Sequence, residues 1–277
     1  MTEKDAIIVD LGDYEHSGEG ANGTSYNHKT DADTMIKLYN SNQNIRNVIG
    51  ELEFARKVFE AGISTPKPGE LITDGQGRYG MKFKRIVGKK SYSRACADDP
   101  ENLPLYAREF AQLCKELHST VVSKTDFPSV KDMYMLLLEE NPFFTEDEKA
   151  RTYQFIMNAP DGDTAIHGDL QFSNAIRTEN GKYFIDLGDF AYGHPYFDLG
   201  MVLLCCKYDG EEFVKNVFHM TLKQASDFWD HFAREYFGPD ADLEQVEMTL
   251  RPYAGLKLLI MEKFAGVRLE EFHWLLP

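Results

Sequence analysis

The chain has 277 residues, of which 43% are hydrophobic, and its formal net charge is −15 at pH 7, which makes nucleic acid an unfavourable partner. No apolar run approaches the roughly 18 residues that span a membrane, so no membrane association is expected. Because the N-terminus lacks a signal-peptide pattern and the four cysteines show no disulfide-framework spacing, we expect a cytoplasmic protein.

Short strands with glycine-containing turns are predicted before residue 88, in AIIVDLGDY, GTSYNHK, DTMIKLYN and RYGMKFKRIVG. One helix interrupts these strands, in NIRNVIGELEFARKVFEAG, because its apolar residues recur at helical spacing. Gly62 suits the C-terminal cap of this helix, and Pro66 prevents its continuation.

Helices dominate the sequence after residue 90. LPLYAREFAQLCKELH carries one apolar stripe, and Thr145 with Glu148 forms a capping box that opens TEDEKARTYQFIM. Two further helices are predicted near 220–237 and 241–263. The expected fold class is α+β, with a strand-rich N-lobe over 1–88 and a larger, mainly helical C-lobe over 89–277, and a cleft between two such lobes is a usual ligand site.

Polar residues are concentrated in AIHGDLQFSNAI, residues 165–176, and in FIDLGDF, which follows closely. Asn180-Gly181 between the two segments is a hairpin signal that would bring Asp186 back beside the loop that holds Asp169 and Asn174. An oxygen-rich set of carboxylate, amide and second carboxylate suits Mg²⁺. If Asn174 and Asp186 hold the metal, Asp169 is free to take a proton from an attacking hydroxyl.

Each of these residues alone is more often a turn former whose side chain bonds its own backbone. Their joint spacing favours chemistry, since HGDLQFSN followed by FIDLGD resembles the signature of the aminoglycoside phosphotransferase and choline kinase superfamily, small-molecule kinases with a bilobal protein-kinase-like fold. The resemblance implies that Asp169 is the catalytic base and that Asn174 and Asp186 are metal ligands. It also implies that His167 braces the loop and that Asp198 supports it.

A kinase also needs a phosphate-binding loop and a cation, and the N-lobe offers both. Gly18, Gly20 and Gly23 in SGEGANGTSY have G-x-G-x-x-G spacing, although a plain turn is an alternative for this pattern alone. The glycines lie between two predicted strands and do not open a helix. This placement favours a hairpin that covers ATP, and it argues against a dinucleotide-binding fingerprint. Lys37 in TMIKLY resembles the family's strand lysine that contacts the α- and β-phosphates, with a snorkelling edge-strand lysine as the structural alternative.

The counter-charge for Lys37 is expected on the following helix, where Glu51 and Glu53 are the candidates. Glu51 lies three residues after Val48 on the apolar face, whereas Glu53 shares its stripe with Lys57 and is expected to be solvated. We therefore predict Glu51 as the partner of Lys37, with a surface carboxylate at the edge of the stripe as the structural alternative.

The acceptor is expected to be a small molecule that offers a hydroxyl group. Only the eleven residues 187–197 separate Asp186 from Asp198, which is short for a phosphorylatable activation loop and a peptide platform, and Gly168 replaces the arginine of the protein-kinase H-R-D triplet. Acidic residues in the C-lobe suit a cationic acceptor such as an aminoglycoside, choline or an amino sugar, but scattered acids are more often a solvated face. Lys84 stands where many relatives carry an acidic residue, so the preference between ATP and GTP is not assigned.

The sequence therefore predicts transfer of the γ-phosphate of ATP, with Mg²⁺, to a hydroxyl of a small molecule. One alternative is a nucleotide-binding pseudokinase that acts as an interaction module. A metal-dependent hydrolase built on His167, Asp169 and Asp186 is the other alternative, but it leaves Lys37 and the glycine loop unexplained. The acceptor's identity and the oligomeric state are not determined by the sequence.

Overall fold

The computed structural model describes residues 1–20 and 23–277. The chain divides into two compact units, which are Met1–Lys89 with Arg177–Gly188, and Lys90–Ile176 with Asp189–Pro277. Among the described residues, no helix is both long enough and apolar enough to cross a membrane.

The first unit is built on a six-stranded sheet with the spatial order β1-β5-β6-β4-β3-β2. Its strands are β1 (Ile7–Ile8), β2 (Tyr14–Gly20), β3 (Gly23–His28), β4 (Thr34–Tyr39), β5 (Pro68–Thr73) and β6 (Tyr79–Lys84). β1 runs parallel to β5, and the other neighbours are antiparallel. Helix α1 (Ile45–Glu60) begins where the side chain of Asn44 accepts a hydrogen bond from the backbone of Arg46 and ends before Gly62, which has a φ of +86°.

Two expectations for the strands of this unit were incomplete. The segment AIIVDLGDY does not form one strand, because Leu11–Asp13 makes a short 3-10 turn that separates β1 from β2. β5 was not predicted, because its Pro68 and Gly69 are residues that are depleted in strands. The strands expected in GTSYNHK, DTMIKLYN and RYGMKFKRIVG are confirmed as β3, β4 and β6.

Helix α1 covers one face of the sheet. Val48 and Leu52 of the helix cluster with Tyr39, Leu71 and Met81 of the strands. A second cluster, of Ile36, Leu38 and Ile72, is built from strand residues without α1. Because side chains alternate along β4, Lys37 shares the face of Tyr39 and of α1, although Lys37 is only partly buried.

The second unit is mainly helical, as expected. Its helices are α2 (Tyr92–Asp98), α3 (Leu103–Ser119), α4 (Val130–Glu140), α5 (Glu146–Asn158), α6 (Tyr196–Leu203), α7 (Glu211–Phe213), α8 (Leu222–Phe237), α9 (Leu243–Leu256) and α10 (Leu258–Ala265). The capping box of Thr145 and Glu148 at the start of α5 is confirmed. The helix expected over 241–263 is divided into α9 and α10 at Lys257.

Five further short strands lie among the described residues: β7 (Lys90–Ser91), β8 (Thr164–Ile166), β9 (Ala175–Arg177), β10 (Lys182–Phe184) and β11 (Ala191–Gly193). In the second unit, β8 pairs antiparallel with β11. Residues 177–188, which the expected boundary at 88 had assigned to the helical lobe, belong to the first unit. Hydrogen bonds to Ser64 explain this assignment: the backbone N–H of Phe184 donates to the Ser64 carbonyl at 2.7 Å, and the Ser64 hydroxyl donates to the Lys182 carbonyl at 2.5 Å.

Aromatic side chains fill the core of the second unit. Phe110 of α3 lies 5.9 Å and 5.5 Å, between ring centroids, from Phe228 and Phe232 of α8. Phe172, from the loop after β8, lies 4.9 Å from Phe228 and 4.3 Å from Phe218. All five rings are fully buried, so the core holds the loop that follows β8 by one of its own residues.

Candidate active site

The loop between β8 and β9 carries the predicted base. Leu170 and Phe172 are fully buried, while Asp169, Gln171 and Asn174 are partly exposed. This alternation anchors the loop in the core by its apolar residues and turns its polar residues outward. This anchoring explains why the sequence of the loop places polar residues between apolar ones.

The carboxylate of Asp169 is oriented by two amides. Asn174 donates from Nδ2 to Asp169 Oδ2 at 2.8 Å, and Gln171 donates from Nε2 to the same oxygen at 3.0 Å. No described residue donates to Oδ1 of Asp169, so this oxygen is available to accept a proton. Asn174 Nδ2 also donates to the Asp169 carbonyl at 3.1 Å, which leaves the Oδ1 of Asn174 as a free-standing acceptor oxygen among the described residues.

Asp198 holds the beginning of the loop. The backbone N–H groups of His167 and Gly168 donate to its two carboxylate oxygens at 2.7 Å and 2.9 Å. Asp198 is fully buried, and His118 Nε2 lies 3.1 Å from its Oδ2. Burial alone would raise the pKa of Asp198, but the hydrogen bond and charge of His118, with further nearby positive charge, hold it below the ordinary value. The carboxylate therefore stays ionised and fixes the loop.

His118 and Tyr236 extend this support and were missed by sequence reasoning. His118 Nδ1 lies 2.7 Å from the Tyr236 hydroxyl, and the two rings meet edge to face. His118 belongs to α3 and Tyr236 to α8, so the hydrogen bonds link both helices to the loop. The only sequence signal was a histidine at the end of an otherwise apolar helix stripe.

Gly168 is required by its surroundings. Its φ is +86°, and a Cβ at this position would lie 2.2 Å from the Asp189 carbonyl oxygen and 2.6 Å from the Asp189 Cβ. No arginine can occupy this place without a change in the backbone. The glycine that stands where protein kinases carry the H-R-D arginine thus has a steric cause in this fold.

Lys37 and Glu51 lie together in the first unit. Lys37 Nζ is 3.4 Å from Glu51 Oε1 and 4.7 Å from the centroid of the Tyr39 ring. The Tyr39 hydroxyl donates to the same Glu51 oxygen, and burial together with this hydrogen bond raises the pKa of Tyr39. Glu53 instead lies 3.2 Å from the amino terminus of Met1. Of the two glutamates, the structure brings Glu51 to Lys37.

Gly18 and Gly20 of the glycine-rich segment lie in β2, and Gly23 lies in β3, which pairs antiparallel with β2. Gly18 lies at a bulge in β2, and a Cβ built there would meet nothing within 4 Å. Gly20 ends β2, and the two residues that follow, Ala21 and Asn22, lie outside the described residues. The role of this hairpin in covering a nucleotide stays a prediction.

Gly23 has a separate, structural reason to be glycine. A Cβ at this position would lie 2.3 Å from the Leu38 carbonyl oxygen and 2.9 Å from the Cα of Tyr39. The close approach of β3 to β4 therefore excludes a side chain here. Gly23 helps to place the strand that carries Lys37, whatever it contributes to a phosphate site.

Asp186 follows β10 in a left-handed backbone conformation, with a φ of +60°, and its side chain is exposed. A non-glycine residue in this conformation is uncommon, and aspartate is among the residues that tolerate it best. Such positions cluster at functional sites. Asp186 belongs to the first unit and Asn174 to the second, so the metal site that joins them stays a prediction. Among the described residues, no three His, Cys, Asp or Glu side chains form a metal-binding group.

The sequence profile of the phosphotransferase enzyme family matches residues 15–236, which include both the glycine-rich hairpin and the loop of Asp169. The chain belongs to this family. The predicted resemblance to aminoglycoside phosphotransferases and choline kinases is confirmed. Among curated proteins, none matches the chain significantly.

Solved structures of other phosphotransferases share the fold of this family member. An amicoumacin kinase in complex with AMP-PNP and Ca²⁺ has 14% identity and a TM-score of 0.60, over 96% of this chain and 85% of its own. ADP-bound aminoglycoside phosphotransferase APH(2'')-Ib has 18% identity and a TM-score of 0.60, and the match covers 95% of this chain and 91% of the other. A choline/ethanolamine kinase family protein from Mesorhizobium loti has 16% identity and a TM-score of 0.56, over 95% and 83%. The expected kinase-like α+β fold is confirmed.

Proposed function

We propose that this phosphotransferase moves the γ-phosphoryl group of ATP or GTP to a hydroxyl group of a small molecule. The observation that carries the proposal is the oriented carboxylate of Asp169, whose Oδ2 accepts from two amides while no described residue donates to Oδ1. A carboxylate with one restrained and one open oxygen is suited to receive a proton from a hydroxyl. Membership of the phosphotransferase family supports this chemistry.

In the proposed reaction, Asp169 orients the acceptor hydroxyl and accepts its proton at Oδ1. The hydroxyl oxygen forms a bond to the γ-phosphorus, and the bond from that phosphorus to the β,γ-bridging oxygen breaks, which releases the nucleoside diphosphate. Catalysis of this kind depends on positioning and on electrostatic stabilisation. The anchoring of the loop by Asp198 and by buried Phe172 supplies the positioning.

Lys37, Glu51 and the glycine-rich hairpin are proposed to bind the nucleotide. The ammonium of Lys37 is held beside Glu51 and above the ring of Tyr39, on the sheet face of α1. In this position it suits contacts to phosphate oxygens, as the strand lysine does in kinases. Backbone N–H groups of the hairpin with Gly18 and Gly20 would cover the phosphates.

Asn174 and Asp186 are proposed to hold Mg²⁺. Their amide and carboxylate oxygens are hard donors, and two such ligands leave room for water and phosphate oxygens, which is how Mg²⁺ is usually bound in kinases. The free acceptor oxygen of Asn174 supports this assignment. When bound, the ion would neutralise negative charge on the phosphates.

A small-molecule acceptor is favoured by the segment after Asp186. β11 begins at Ala191 and pairs with β8, and α6 begins at Tyr196, two residues before Asp198. The segment between Asp186 and Asp198 is therefore too short to contain an activation loop or a platform that binds a peptide. Similar folds carry amicoumacin, hygromycin B and kanamycin, and we propose a hydroxyl-bearing, amine-containing acceptor of this kind.

The test is nucleotide turnover with Asp169→Asn and Asp186→Ala, measured with Mg²⁺ and a panel of aminoglycosides, amino alcohols and amino sugars. A thermal-shift screen of the same panel with a non-hydrolysable nucleotide identifies acceptors to use, because selective binding raises apparent stability. Both variants should lose turnover while they keep the fold. Full activity in either would contradict the proposal. Nucleotide binding by calorimetry without turnover across the panel would instead support a nucleotide-binding pseudokinase.

A further inference from the structure

The junction of α9 and α10 places a lysine inside the second unit. Lys257 is only 3% exposed, and its Nζ donates to the Gly168 carbonyl oxygen at 2.7 Å. The same Nζ lies 5.4 Å from the centroid of the Tyr134 ring. Lysine is almost never this deeply buried unless its charge is compensated, so the contact calls for an explanation.

The surroundings of Lys257 keep it charged. Burial alone would lower its pKa, but the Tyr134 side chain and the carboxylates of Asp198 and Asp169 together raise the pKa above its ordinary value. Both the carboxylate that holds the loop and the carboxylate proposed as the base therefore favour the charged form of this lysine. A side chain that served packing alone would bring no charge to this place.

The bond to the Gly168 carbonyl acts on one peptide unit. That carbonyl belongs to the peptide that joins Gly168 to Asp169, and the N–H of the same peptide donates to His167 Nδ1 at 3.3 Å. Both ends of the peptide are therefore held. The preceding residue is a glycine with positive φ, which permits rotation of this peptide at little steric cost. Such a rotation would swing the Asp169 carboxylate away from its place.

We propose that Lys257 is a positioning residue for phosphoryl transfer, whose ammonium locks the Gly168–Asp169 peptide and so aims the Asp169 carboxylate. This inference rests on the proposed function of Asp169. Gly168 allows the positive φ that the loop requires, and Lys257 restricts the backbone rotation that a glycine would otherwise permit. The lysine lies 89 residues beyond Gly168 in the chain and outside both motifs that indicated the site.

The first test is the kinetics of Lys257→Met, which keeps the length of the side chain and removes the charge and the donor. A misplaced base should lower kcat by about 100-fold, while the KM for nucleotide changes by no more than about twofold. Lys263→Met is the matched control, because Lys263 lies on α10 in an exposed ion pair with Glu140 at 3.1 Å. Its kcat should equal that of the wild type.

Lys257→Arg separates charge and donor from packing. It keeps a cation and several N–H donors, so it should recover at least about tenfold of the kcat lost in Lys257→Met. If Lys257→Met does not fold, Lys257→Arg is compared directly with the wild type and should retain at least about a tenth of the wild-type kcat. An arginine variant as inactive as the methionine variant, or a methionine variant with wild-type kcat, would overturn the inference.

A measurement that needs no turnover tests the lock directly. Hydrogen exchange of the peptide covering 166–172 should be faster in Lys257→Met than in Lys263→Met, at equal global stability. Equal exchange in both would overturn the lock even if the kinase proposal stands. A wild-type protein without turnover would contradict the proposed function, while faster exchange in Lys257→Met would still establish that Lys257 restrains the loop.

Discussion

Gln171 donates its side-chain amide to the same oxygen of Asp169, at 3.0 Å, that also accepts from Asn174. Because Asn174 keeps Oδ2 occupied when Gln171 is lost, Gln171→Ala should lower kcat by no more than about tenfold, which corresponds to the lower end of the range for a hydrogen bond to a charged group. Asp169→Asn removes the proton acceptor and should lower kcat by about a thousandfold. Steady-state kinetics of the two variants checks this, and equal losses would mean that Gln171 itself takes part in transfer.

Asn174 is expected to serve both the base and the metal. Asn174→Ala removes both the amide that holds Asp169 and the oxygen that is proposed as a metal ligand. The Mg²⁺ concentration for half-maximal activity should therefore rise by at least about tenfold, since the loss of residues that only support a metal ligand already lowers metal affinity by about that factor. Gln171→Ala should leave this concentration unchanged, because Gln171 is not a proposed ligand. The measurement is a Mg²⁺ titration at fixed nucleotide. A titration curve shared by Asn174→Ala and Gln171→Ala would remove Asn174 from the metal site.

Glu51 and Glu53 offer a matched pair on one helix. Glu51→Gln should raise the KM for nucleotide by about tenfold, because Lys37 loses the carboxylate that holds it 3.4 Å away. Glu53→Gln should have no effect on KM, since Glu53 lies beside the amino terminus. Lys37 and Glu51 are 32% and 45% exposed at their side chains, so neither variant should change stability by more than about 1 kcal/mol. An unchanged KM in Glu51→Gln would show that this ion pair has no part in nucleotide binding.

Local patterns of the sequence predicted much of the fold and part of the site. The spacing of Val48 and Leu52 located α1 and set Glu51 on the face of that helix toward β4, where Lys37 lies. The capping box at Thr145 located the start of α5. In both cases residues three or four apart in the chain carry the signal, and the structure needs no distant contact to explain it.

The remaining features depend on contacts between distant parts of the chain. His118 meets Asp198 across 80 residues and Tyr236 across 118, and Lys257 meets Gly168 across 89. No periodicity or capping pattern in the sequence predicts these contacts, because each contact depends on the space and the charge that another element of the structure provides. The assignment of residues 177–188 to the first unit has the same origin, since it depends on Ser64.

Gly168→Ala should be strongly destabilising. The positive φ and the close approach of Asp189 to an added Cβ combine strain with overpacking, and we expect a loss of about 2–4 kcal/mol in the free energy of unfolding. Gly50→Ala is the control, because Gly50 lies exposed in the interior of α1, where an added methyl group would meet nothing within 4 Å. Alanine there should stabilise by about 0.5–1 kcal/mol. Urea unfolding of both variants checks the opposite signs, and a neutral Gly168→Ala would mean that the loop backbone adapts.

Glu148 is expected to contribute stability that depends on pH. Arg268 donates to its two carboxylate oxygens at 2.9 Å and 2.8 Å, and the Thr145 N–H donates at 2.7 Å, while His273 Nδ1 lies 2.8 Å away. These groups, Arg268 first, hold the pKa of Glu148 well below its ordinary value of 4.5. A carboxyl group with a lowered pKa stabilises the folded state above the pKa of the unfolded chain, and this contribution is lost as the pH falls.

Glu148→Gln should therefore lower the free energy of unfolding by about 3 kcal/mol at pH 7, because the partly buried Arg268 loses the carboxylate that accepts from both of its terminal nitrogens and keeps only the exposed Glu270 as a charge partner among the described residues. The difference from the wild type should narrow as the pH falls below about 4.5, where the unfolded chain binds the proton. Glu146→Gln is the control, since Glu146 is exposed in the same first turn of α5 and shares the helix-terminus field. Urea unfolding at pH 7 and pH 4 measures both. A difference that is equal at the two pH values would show that Glu148 acts by packing and hydrogen bonding, without a contribution from its charge.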